Sequence, residues 1–148
     1  MNQINQNKTL ERLRNYFEGR NEITFAFLFG SVARGKVRQD GDVDIAIYFW
    51  PGEDIEWEAF NKVYKEERRI ALDLEKLLKK EVDLVVLNRA RAVLADEILR
   101  KGKPILIKDR GVFLDFFCII SDEAEYVRDW FETYYKERKI CIKQVDQN

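Results

Sequence analysis

The chain has 148 residues, 26 basic and 27 acidic side chains, a net charge of −1 and no histidine. Its 46% hydrophobic content, with ten Phe, six Tyr and three Trp, suffices for one domain spanning residues 1–148, and the balanced charge excludes a global basic field for nucleic acid or anionic membrane. The lack of histidine excludes Ser-His-Asp, Cys-His and His-ligated metal chemistry and leaves carboxylate and phosphate chemistry.

The two cysteines, Cys118 and Cys141, read as reduced thiols. No apolar run approaches the roughly 20 residues that span a bilayer, and the polar start MNQINQNKTLERLR lacks the apolar region of a secretion signal, so the expected location is cytoplasmic. There are no internal repeats or low-complexity segments.

In chain order, KTLERLRNYFE (8–18) places Leu10, Leu13, Tyr16 and Phe17 at helical spacing before Gly19. The apolar run from Ile23 to Phe29 predicts a buried strand that stops at the Gly30-Ser31 turn. VARG then could open a helix whose N–H groups face the strand end, a geometry suited to anions. GKVRQDG (35–41) reads as a loop, and a second strand is predicted from Asp42 to Phe49, ended by Pro51-Gly52. Its period-2 alternation puts Val43, Ile45, Ile47 and Phe49 on one face and Asp42, Asp44, Ala46 and Tyr48 on the other. Two carboxylates thus point the same way at one strand start, where Asp is disfavoured, and a divalent cation is the simplest reason.

From Ile55 to Lys80, apolar residues recurring at three and four, among them Trp57, Phe60, Val63, Tyr64, Ala71, Leu74, Leu77 and Leu78, predict one long helix. VDLVVLN reads as a buried strand with Asp83 one residue inside its start, residues 90–101 as a helix closed by Gly102, and 104–108 as a short edge strand. A last helix is predicted over about 112–139. Phe113, Phe117, Ile120, Ala124, Val127, Phe131 and Tyr134 form its stripe, while Phe116, Trp130 and Tyr135 lie off it, either as a second buried face or as a partner surface.

Asp42, Asp44 and Asp83 are hard oxygen ligands of the kind that suits magnesium completed by substrate phosphates. Two such ions, roughly 3.5–4 Å apart, can activate an attacking oxygen and stabilise leaving pyrophosphate, which is nucleotidyl transfer. The bland rivals are a strand cap for Asp42 and Asp44, a solvated Asp83, and a merely wet basic loop for Arg34, Lys36 and Arg38.

Gly30-Ser31, ten intervening residues and then Asp42-Val43-Asp44 resemble the Gly-Ser-x10-Asp-x-Asp signature of the DNA polymerase β-like nucleotidyltransferases. Those four fixed letters at that spacing arise by chance at about one start position in 10⁵. FGSVARG and VDLVVL further resemble the MNT minimal nucleotidyltransferases, antitoxins of HEPN ribonuclease toxins. The resemblance covers roughly residues 8–110 and implies an α/β (α+β) fold, a small mixed sheet flanked by helices, with a long C-terminal helix beyond it. It implies that Asp42 and Asp44 bind Mg²⁺, that Asp83 completes the site and helps deprotonate the attacking hydroxyl, and that Gly30 and Ser31 hold the phosphates of ATP; apart from the resemblance, the basic Arg34 could join them by steering the triphosphate. It implies AMP transfer to a tyrosine of a HEPN toxin as partner, with no membrane and no strong nucleic-acid binding expected. Gly41 departs from the pattern, in which Ser often precedes the Asp-x-Asp. An aminoglycoside-type nucleotidyltransferase and a non-catalytic antitoxin that acts by binding are the alternatives.

Overall fold

The computed structural model describes the backbone of residues 3–33 and 41–146, with side chains at 5–30, 33 and 41–139. Among these residues the order is α1 (Gln3–Glu18), β1 (Ile23–Phe29), α2 (Gly30–Ala33), β2 (Val43–Phe49), α3 (Glu67–Leu78), β3 (Val82–Val86), α4 (Ala92–Lys101), β4 (Lys103–Ile107) and α5 (Arg110–Asp146). The four strands form one mixed sheet in the order β3-β2-β1-β4. β1 runs antiparallel to β2 and β4, and β2 parallel to β3.

Both faces of the sheet are covered. Leu13 and Phe17 of α1 and Ile70 and Leu74 of α3 bury one face with Leu28, Ile45 and Ile47. On the other, Ala95 and Ile98 of α4 and Phe116 and Ile120 of α5 pack on Phe25, Phe27, Ala46 and Tyr48. The period-2 alternation of β2 therefore sorts side chains between two cores, which is why the strand is apolar almost throughout.

Three expectations need correction. The stretch from Ile55 to Lys80 is not one helix: only Glu67–Leu78 is helical. Tertiary bonds outcompete the helical spacing before it. The Tyr48 hydroxyl donates to Glu56 O and accepts from Glu56 N, Ala59 N donates to Asn88 O, and Glu58 takes a left-handed φ of 47°. Trp57, Phe60 and Val63 consequently stand exposed. Second, the three off-stripe aromatics of the last helix do not share one environment: Phe116 takes the buried-face alternative, fully buried with its ring 4.6 Å from that of Tyr48. Trp130 and Tyr135 are exposed, and so are the stripe residues Phe131 and Tyr134. At ~1.5 Å per residue, α5 outruns the body that its first half covers. Third, β2 begins at Val43, so Asp42 is an exposed residue just before the strand.

Candidate active site

One end of the sheet collects the predicted residues by strand register. The antiparallel pairing of β1 and β2 sets Phe29 opposite Asp44, and the parallel pairing of β2 and β3 sets Asp44 opposite Asp83. Side chains at paired positions share a face, so Asp44 and Asp83 project together. Gly30 continues from Phe29 with a φ of 74°, turning the chain out of β1 into α2. A Cβ there would lie 2.1 Å from Asp44 Oδ2, so the turn and the carboxylate can share this spot only because residue 30 is glycine.

Asp44 is half-buried whereas Asp42 and Asp83 are exposed. Burial pushes the Asp44 carboxyl above the usual range, and the charges of Asp83 and then Asp42 push it further. Among the described residues, three acidic groups thus load one strand end with mutual repulsion. The Ser31 side chain and all of Arg34, Lys36 and Arg38 lie outside the described residues. From behind the turn, Gln6 donates to Ala33 O at 3.3 Å, closing α2 onto α1, and accepts from Lys103 Nζ at 2.9 Å.

Among the described residues, no group of three or more acidic, Cys or His side chains is gathered into metal-holding geometry. The donor chemistry nevertheless suits a hard divalent cation: three carboxylates lie near one strand end, and the missing Cβ of Gly30 leaves the Asp44 carboxylate uncovered. Beside the turn lies a cleft of about 190 Å³ that was not legible in the sequence, lined by Phe29, Gly30, Leu94, Glu97, Ile98, Lys101 and Gly102. Its only sequence signal was the apolar stripe of the helix over 90–101.

A glycine turn, adjacent strand-end carboxylates and a mixed four-stranded sheet together define a nucleotidyltransferase. The chain belongs to the Polymerase beta nucleotidyltransferase family, which it matches over residues 11–111. It is similar to the protein adenylyltransferase MntA of Shewanella oneidensis, at 29% identity over 71% of this chain and 67% of that protein. The crystal structure of a toxin-antitoxin with AMP-PNP has the same fold, with a TM-score of 0.64 at 22% identity over 90% of this chain and 97% of the other. So has the MNT antitoxin in complex with a tri-AMPylated Shewanella oneidensis HEPN toxin, at a TM-score of 0.59 and 22% identity over 93% and 98% of the two chains. Membership brings a nucleotide substrate and the general use of a divalent metal. No helix among the described residues is long and apolar enough to cross a membrane.

Proposed function

We propose that the chain is a protein adenylyltransferase that moves AMP from ATP to a tyrosine of a HEPN toxin, silencing it as its antitoxin. The observation that carries this reading is the row of Gly30, Asp44 and Asp83 along one sheet end. The relatives add the substrate: one is a protein adenylyltransferase, another stands beside an AMPylated toxin.

In this reading Asp42 and Asp44 would hold Mg²⁺, as two ions, with Asp83 completing the set. The cations would supply charge neutralisation of the triphosphate and of the departing pyrophosphate. Gly30 and Ser31, with Arg34, hold the β- and γ-phosphates at the head of α2, and the glycine lets the backbone approach them closely. Asp83 takes the proton of the tyrosine hydroxyl. The phenolic oxygen then bonds to the α-phosphorus as the bond to the β-phosphate oxygen breaks and pyrophosphate leaves.

Replacing Asp42 and Asp44 together by Asn removes two anionic ligands and is expected to abolish magnesium-dependent ATP binding. Unchanged metal-dependent affinity in calorimetry of the double variant would remove the basis of the assignment.

A further inference from the structure

We infer that the acceptor enters from the free edge of β3, docking as an extended segment in the groove that borders that edge. The inference rests on the adenylyl-transfer reading and adds the direction and conformation of the acceptor.

Attacking and leaving oxygens stand roughly in line across a phosphorus undergoing displacement. The sheet end presents, in spatial order, the Gly30 turn on β1, Asp44 on β2 and Asp83 on β3. With the pyrophosphate end of the nucleotide at Gly30 and the α-phosphate beside Asp44, the attacking hydroxyl comes from the side of Asp83. Among the described residues β3 is the end strand there, with β2 as its one neighbour in the sheet. An end strand offers a row of backbone donors and acceptors to an incoming chain.

On the α3 face this edge opens into a groove of about 480 Å³ whose lining includes Val63, Ala71, Val82 and Leu84. Val82 and Leu84 flank Asp83 in sequence, and the pleat sends them to the face opposite its carboxylate. An extended segment added to β3 obeys the same alternation. Its acceptor tyrosine falls on the Asp83 face, while its immediate sequence neighbours fall into the groove. Val63 offers those neighbours an apolar wall that is 84% exposed. Lys65, Glu67 and Arg68 also line the groove; Glu67 is paired with Arg89, whereas among the described residues neither Lys65 nor Arg68 pairs with a carboxylate. The segment therefore carries apolar residues beside its tyrosine and an acidic residue within reach of those cations.

The test uses Val63→Asp and Arg68→Glu, separately and combined, at exposed positions outside the nucleotide site, with a HEPN toxin as probe. Toxin binding is measured by calorimetry without nucleotide, ATP affinity separately, and KM for toxin in the transfer assay. The expected result is toxin binding weakened about tenfold or more in the combined variant, KM for toxin raised to match, and ATP affinity unchanged. Wild-type transfer to the toxin with the same toxin affinity and KM in every variant would overturn the groove alone. A wild-type protein that leaves the toxin unmodified would overturn the adenylyl-transfer reading, and the groove with it.

Discussion

Gly30 and Asp44 occupy one space: a methyl group on the glycine would sit 2.1 Å from Asp44 Oδ2, far inside van der Waals contact. Two residues distant in the chain are thus fitted to each other at the end of adjacent strands.

Gly30→Ala is therefore expected to fail twice. The left-handed φ of 74° costs about 1 kcal/mol or more for a residue with a Cβ, and the clash forces Asp44 to swing away. Thermal unfolding should shift to lower temperature, and calorimetry should show weakened metal-dependent ATP binding. A variant with native ATP affinity would show that the close approach serves only the backbone turn.

Asp44 carries a stability cost. Its carboxyl titrates above the usual range in the folded state because of burial, then Asp83, then Asp42, so the folded chain holds a proton that the unfolded chain has already released. Stability from this group is present below the unfolded carboxylate range and lost as pH rises through the raised value. At neutral pH Asp44→Asn should melt no lower than wild type in chelator. Magnesium should raise the melting temperature of wild type and leave that of the variant nearly unchanged.

Asp96 is fully buried on α4 and receives Arg100 Nε at 2.8 Å and Arg128 of α5 at 2.9 Å. Either cation alone can compensate the carboxylate, so Arg100→Ala and Arg128→Ala should each cost about 1 kcal/mol. Together they leave a buried charge unpaired and should cost about 3–5 kcal/mol. Urea unfolding of the two single variants and the double variant measures the non-additivity. Strict additivity would mean that solvent already reaches Asp96.

The parts of the fold legible in the sequence were those in which local pattern and tertiary environment agree. β1 shows as an apolar run stopped by Gly30-Ser31, and β2 as the alternation that begins at Val43-Asp44, because both strands are buried between helices. Residues 55–66 misled because the spacing of Trp57, Phe60 and Val63 imitates a helix. The side chain of Asn88 binds Phe49 N and O, and its backbone O accepts from Ala59 N, and neither bond is visible to a helical period. Phe116 lies off the apparent stripe of α5 yet is buried, since the helix must cover both the sheet and α4 and so buries a face wider than one row. The carboxylates were recognisable by type and spacing. The order of turn, Asp44 and Asp83 along the sheet end was not, because it depends on which strands pair.

Intact mass spectrometry of a HEPN toxin after incubation with this protein, ATP and magnesium decides whether the chain transfers AMP to it. AMP adducts on tyrosine are expected with wild type and none with the Asp42→Asn, Asp44→Asn double variant. An unmodified toxin alongside efficient labelling of a small alcohol or aminoglycoside would overturn adenylyl transfer to the toxin.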